Sequence, residues 1–168
     1  MTSTTTELGH DGLRAAADFV EQHEIATLVH RLGACLDEGR FDDLRSLFVE
    51  DAVARTPGGL AEGIDALVAQ ASRNHVPDDG IQHLISGVLV DREGDRATVR
   101  ANLVVTFARR DPAPEIPTAL GPEAPTALGE VYRLVARRTP AGWRLARVET
   151  DLVWVSHAPV APAPRPAA

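Results

Sequence analysis

With one cysteine in 168 residues, Cys35, the chain can form no internal disulfide. It also lacks any CxxC pair or Cys/His cluster, so no structural metal clip is expected. Both absences fit a reducing, cytoplasmic setting and leave the fold to its hydrophobic core. No apolar run approaches the roughly 20 residues of a membrane-spanning helix. The opening MTSTTTELGHDG has neither the basic nor the apolar region of an export signal. A soluble protein that is not exported is expected. Positive charge is in deficit: 17 Lys+Arg stand against 24 Asp+Glu, a formal net charge of −7. That balance repels phosphate backbones and anionic membrane surfaces, so neither nucleic acid nor a membrane is an expected partner.

What the sequence does have is 44% hydrophobic residues, enough at this length for one core without staples, arranged in two successive rhythms. From about residue 11 to 39, Ile25, Leu28, Val29, Leu32 and Leu36 recur at helical spacing, and Gly39 is a natural stop. This predicts one long amphipathic helix, or two with a break near His23. FDDLRSLF, residues 41–48, predicts a short second helix with Phe41, Leu44, Leu47 and Phe48 on one face. AVART reads as a short strand and Thr56-Pro57-Gly58-Gly59 as a turn. A third helix is expected at about 63–74, with Ile64, Leu67, Val68 and Ala71 inward.

The period then changes from 3.6 to 2. Strands are expected at about 81–91, 96–109, 129–138 and 142–155, with turns at Arg92-Glu93-Gly94-Asp95 and Thr139-Pro140-Ala141-Gly142. Helices followed by antiparallel strands define the α+β class, with the helices packed on one face of a sheet. In the segment 111–129 PTALG occurs twice, too short a unit for a structural repeat, and a long hairpin loop is expected there. The Pro/Ala-rich end APVAPAPRPAA reads as a disordered tail. The expected plan is an N-terminal segment over 1–17, a single domain over 18–156 and the tail over 157–168.

One side chain is out of place in this pattern. In GIQHLISGVLV, residues 80–90, strict alternation puts Ile81, His83, Ile85, Gly87 and Leu89 on one face. His83 therefore sits on an apolar face, where an imidazole loses hydration unless something bonds to it. The expected partner is Asp37, which follows Leu36 at the end of the first helix. Asp42 and Asp43 open the second helix, where carboxylates favour the N-terminus, and Glu38 can point to solvent. Cys35 reads as a buried thiol, and Trp143 and Trp154 as core or rim packing. His10, His23, His30, His75 and His157 show no convergent spacing and read as surface residues.

The order of elements, together with LDEGRFDDLRSLFVEDA, IQHLISG and GWRLARVETDLVW, resembles the nuclear transport factor 2-like (NTF2-like) superfamily, in particular its SnoaL-like and scytalone-dehydratase-like members. The resemblance covers about residues 18–156. It implies a cone, a curved antiparallel sheet wrapped around three N-terminal helices. It also implies a dyad in which His83 is the general base and Asp37 orients it. A neutral imidazole, with an ordinary pKa of about 6.5, accepts a proton at physiological pH, and a carboxylate on its other nitrogen fixes the tautomer. Such a pair suits elimination, isomerisation or aldol-type cyclisation of a small, largely apolar carbonyl compound such as a polyketide-derived intermediate. No metal or organic cofactor is expected.

The chain departs from the dehydratases where they use tyrosine or a second histidine, at Leu36 and near Phe107. It departs from the ketosteroid isomerases at about Thr56, where their base carboxylate lies. The acid partner is left among Glu130, Tyr132 and Asp151, which alternation alone does not separate. With Leu36, Phe107 and Trp154, these are the expected substrate-contacting positions. The other reading is a non-catalytic module of the same fold that binds a ligand or assembles through its sheet. Apolar residues on both faces of the strands, such as Val99, Leu103 and Val105 against Val104, predict a homo-oligomer, a dimer packed sheet to sheet.

Overall fold

The computed structural model describes residues 3–75, 79–109 and 126–156. Among them are three α-helices, α1 (Ser3–Asp37), α2 (Leu44–Leu47) and α3 (Ile64–Asn74), and a 3₁₀ turn at Phe41–Asp43. Six strands complete the fold: β1 (Phe48–Thr56), β2 (Gly59–Glu62), β3 (Asp79–Glu93), β4 (Arg96–Arg109), β5 (Thr126–Thr139) and β6 (Gly142–Val155). They form one curved, unclosed sheet in the order β2-β1-β6-β5-β4-β3. Every pairing is antiparallel except β1 with β6, which is parallel. This is the α+β NTF2-like cone expected from the sequence.

The first helix is a single element without a break at His23, and it starts earlier than its apolar spacing indicates. Only its second half is amphipathic against the body. Ile25, Leu28, Val29, Leu32 and Cys35 are buried at helical spacing, whereas Leu13, Phe19 and Val20 are exposed. The helix ends in a Schellman motif: Arg40 N–H donates to Cys35 O at 2.9 Å and Gly39 N–H to Leu36 O at 3.4 Å. Gly39 supplies the required left-handed backbone, at φ 67°. The helix therefore stops with Asp37 in its last turn.

Two features escape strict periodicity. Thr56-Pro57-Gly58-Gly59 leads into a four-residue strand, β2, which opens at Gly59, pairs back onto β1 and was not apparent from its composition, GLAE. In β3 the pairing with β4 shifts register between Ser86 and Leu89, where Gly87 adopts φ 57°. That bulge flips the alternation. His83 and Ile85 face inward, but beyond the bulge Val88 and Val90 are the half-buried residues and Leu89 is exposed. Most of the segment 111–129 and the tail 157–168 lie outside the described residues, apart from 126–129, which open β5.

The core sits between the helices and the concave face. Ala97, Val99, Ala101, Leu103 and Val105 of β4 alternate inward, as do Tyr132, Leu134 and Ala136 of β5. No described helix is long and apolar enough to cross a membrane.

Candidate active site

Asp37 ends α1, where the helix dipole disfavours a carboxylate. Its compensation comes from β3. Asp37 Oδ1 lies 2.6 Å from His83 Nδ1, and the same carboxylate accepts the His83 backbone N–H at 2.9 Å (Oδ1) and 3.2 Å (Oδ2). The topology explains how one carboxylate reaches both donors. β3 is the edge of the sheet, so backbone N–H groups on its free side have no neighbouring strand, and α1 packs along that side. Gly33, one helical turn before Asp37, permits the close approach. A Cβ there would meet Ile85 Cδ1 at 2.9 Å and His83 Cβ at 3.6 Å. Gly33 was not singled out in the sequence, although a glycine inside a helical pattern is a usual sign of such contact.

The His83 side chain is 4% exposed and that of Asp37 25%. With Nδ1–H donated to the carboxylate, Nε2 is left as the lone-pair nitrogen, although neither His83 nor Asp37 is in the wall of the cavity that His75 lines. The His83 ring centroid lies 5.4 Å from that of His75, which in turn packs 6.2 Å from Phe41. His75 is thus not the surface residue its spacing indicated. Its Nδ1 donates to Ala71 O at 2.9 Å, one turn back at the end of α3. Burial lowers its pKa below 6.5 and proximity to His83 adds to the effect, opposed by the bond to Ala71 O and the Asp37 charge, so the neutral ring is favoured.

His75 also lines a cavity of about 70 Å³, room for a few waters or part of a small ligand. Leu36, Thr56, Gln70, Asn74 and Tyr132 contribute to its wall. Of the expected substrate-contacting positions, Leu36 and Tyr132 line this cavity, and Phe107, Glu130, Asp151 and Trp154 do not. Gln70 is a buried polar residue that helix periodicity did not single out.

The remaining expected positions separate into inward and outward groups. Glu130, 6% exposed, and the buried Tyr132 share the concave face of β5. Desolvation raises the pKa of Glu130 above the usual 4.5, opposed by Thr150 and by positive charge on His83. Among the described residues neither Glu130 Oε1 nor Thr150 Oγ1 reaches hydrogen-bond geometry with a partner, although the two lie close and Thr150 pairs with Tyr132 across the strands. Burial also raises the Tyr132 pKa, with the charges of Glu130 and Asp37 adding to it.

Asp151 and Trp154 do not join this group. Asp151 lies on the outer face, 56% exposed and 2.6 Å from Arg133. Trp154 is 47% exposed and pairs with Gly129, where a Cβ would fall 2.1 Å from the indole. The register irregularity between Val135 and Ala136 turns Asp151 outward relative to alternation from Trp143, and the one between Gly129 and Glu130 falls between Leu152 and Trp154. Phe107 packs against the core, paired with Ile81, and is absent from the cavity wall. Cys35 is buried, and desolvation raises its pKa, so the thiol is a core group.

The cone with an Asp–His pair inside its sheet defines an NTF2-like protein. The model of the SnoaL-like domain matches residues 19–149, and the chain belongs to that family. Among solved structures, an NTF2-like protein with a cystatin-like fold from Novosphingobium aromaticivorans is 29% identical. Its TM-score is 0.68, with 91% of this chain and 92% of that one covered. The Kfla4162 protein from Kribbella flavida has 20% identity and a TM-score of 0.70, covering 83% of this chain and 95% of that one. A second Novosphingobium aromaticivorans protein, named as a candidate scytalone dehydratase, has 20% identity and a TM-score of 0.70 over 84% of this chain and 90% of that one. No curated protein matches the sequence.

Proposed function

We propose that this chain is a cofactor-independent proton-transfer enzyme, a lyase, isomerase or cyclase of the SnoaL-like type. Its substrate is a small, largely apolar carbonyl compound such as a polyketide-type intermediate of secondary metabolism. The observation that carries the reading is the Asp37 carboxylate holding both the ring Nδ1 and the backbone N–H of His83. Two donors fix the carboxylate, and the carboxylate fixes the imidazole with Nε2 as the base. When Nε2 takes a proton from carbon, the Asp37 charge stabilises the imidazolium. A bound molecule would be contacted by Leu36 and Tyr132, with Glu130 behind Tyr132 on the same strand.

The working form is a homodimer in the cytoplasm. Leu84 pairs with Val104, Val104 with Gly129 and Gly129 with Trp154, a row on the outer face in which Leu84 and Trp154 are exposed. A second copy packed on this row would cover it.

The function is tested by deuterium exchange. Cyclohexanone and 1-indanone, incubated with the protein in D2O, should lose α-hydrogen signal in proton NMR. His83→Ala should slow that exchange by about 10² to 10⁴. A non-catalytic binding module would give no exchange above buffer in either protein, and that result would replace the enzyme reading.

A further inference from the structure

The dyad supplies a base, but enolisation of a ketone also needs a group that meets the charge growing on the carbonyl oxygen. We propose that Glu130 is that group: its carboxyl, buried on the concave face with Oε1 unpartnered among the described residues, donates its proton to the substrate's carbonyl oxygen while His83 takes one from the adjacent carbon. The inference rests on the reading of His83 given above and names the acid it leaves open.

The other polar groups near the cavity do not fit the role. Asp151 is outside and ion-paired. His75 has committed its only proton to Ala71 O and offers a lone pair. Tyr132 is fully buried and its acidity is weakened by burial and by neighbouring negative charge, so it can donate a hydrogen bond but gives up its proton reluctantly. Thr56, Gln70 and Asn74 are not acids. Glu130 faces inward two positions from Tyr132 on β5, with Oε1 buried and unpartnered. The nearest side chain able to help it, Thr150, is likewise unpartnered at Oγ1. Thr150 lies close enough to oppose the rise in the Glu130 pKa, yet neither Glu130 Oε1 nor Thr150 Oγ1 reaches hydrogen-bond geometry with a described residue, and a ligand oxygen would complete both. Desolvation favours the protonated carboxyl, the form that can donate.

The two walls also stand at a useful separation. His83 is on β3 and Glu130 on β5, with β4 between them. Two strand spacings amount to about 10 Å between backbones; neither side chain is in the wall of the 70 Å³ cavity, so a small molecule that bridges them must enter beside it. In the step itself the C–H bond breaks and its proton goes to His83 Nε2. The C–H electron pair becomes the C=C bond of the enol, the carbonyl π pair moves to oxygen, and that oxygen takes the Glu130 proton. Imidazolium and carboxylate form together, so the enclosed site gains no net charge. The positive charge on His83 then favours the Glu130 carboxylate it faces.

Two measurements test this without the natural substrate. The first is an infrared titration in D2O: a protonated carboxyl band should persist well above the pH of about 4.3 at which an ordinary glutamate ionises, and be missing from Glu130→Gln. The second uses 4-nitrophenol as the probe, because its phenolate mimics an enolate and its absorbance reports binding. Glu130→Ala should weaken phenolate binding about tenfold or more, the loss expected for a hydrogen bond to a charged group. Glu130→Gln, which keeps a donor, should fall between. A band that vanishes at the ordinary pH, or a Glu130→Ala protein that binds phenolate like the wild type, overturns the proposal. His83→Ala should abolish ketone exchange yet keep the Glu130 band, so failure of the base and failure of the acid are read separately.

Discussion

The two faces of the sheet solve the problem of polar groups in opposite ways. On the outer face, charges answer one another: Arg133 pairs with Asp151, Arg137 with Asp51, and Arg147 with Glu149. There the uncovered groups are apolar, Leu84, Leu89 and Trp154. On the concave face the apolar groups are covered and the polar ones are the exceptions. Asp37 and His83 hold each other, while Glu130 Oε1 and Thr150 Oγ1 have no partner. A buried polar group without a partner costs about 1–3 kcal/mol, so these atoms, like Glu21 Oε2, Arg137 Nε and Trp143 Nε1 elsewhere, are places where a partner outside the described residues would be stabilising. Exposed ion pairs carry no such message, since each is worth at most about 1 kcal/mol. The proposed function places small-molecule chemistry on the concave face and assembly on the outer one.

The largest effect expected on this comparison is on the dyad. Asp37→Asn should slow ketone exchange less than His83→Ala does, because an amide still bonds the ring but carries no charge to support the imidazolium. The double variant should be no slower than His83→Ala alone, since the two residues act as a unit. Additive losses, measured in the same exchange assay, would separate them.

The outer face is broken by charge. Leu84→Asp combined with Trp154→Ala should convert a dimer to a species with the mass of one chain in light scattering. Ketone exchange per chain should change by less than a few-fold if the two faces are independent. Smaller again is the effect of Gly129→Ala. Its Cβ would fall on the Trp154 indole, and displacing that ring should cost about 1–3 kcal/mol in denaturant unfolding.

The smallest effect is a pH dependence. The folded-state pKa of Glu130 is raised above 4.5, so the folded protein retains a proton that the unfolded chain has released. Stability from this group is complete below about 4.3, its unfolded value, and is lost as pH rises through the elevated folded value. Glu130→Gln should remove that loss and flatten the unfolding free energy over this window. His75 acts in the reverse direction. Its lowered pKa makes stability fall as pH drops from about 6.5 toward the folded value, because the unfolded chain takes the proton first.

Much of this was legible in the sequence, for identifiable reasons. Ile25, Leu28, Val29 and Leu32 set the helix face, and Gly39 its end, because helical spacing and a left-handed glycine are local properties. His83 stood out because one imidazole interrupted an apolar row. Asp37 could be matched to it because no local capping role explained a carboxylate at a helix end. What the sequence hid depends on tertiary geometry. The bulge at Gly87 moves Leu89 outward, and the β5–β6 register shift between Val135 and Ala136 turns Asp151 away from the concave face, and neither shift is visible in alternation. His75 was missed because its burial is created by α3 folding over the cavity, not by any pattern around residue 75. Gly59-Leu60-Ala61-Glu62 gave no strand signal because its pairing with β1, rather than its own residues, makes it one.

The most direct test of the dyad is the protonation pattern of one ring. Nitrogen-15 NMR of the histidines, with His83 assigned by the spectrum of His83→Ala, reports which ring nitrogen carries the proton when the imidazole is neutral. The account predicts that His83 is protonated at Nδ1 with Nε2 bare, and that Asp37→Asn shifts population toward the other tautomer. A wild-type His83 protonated at Nε2, and unchanged by Asp37→Asn, would contradict it.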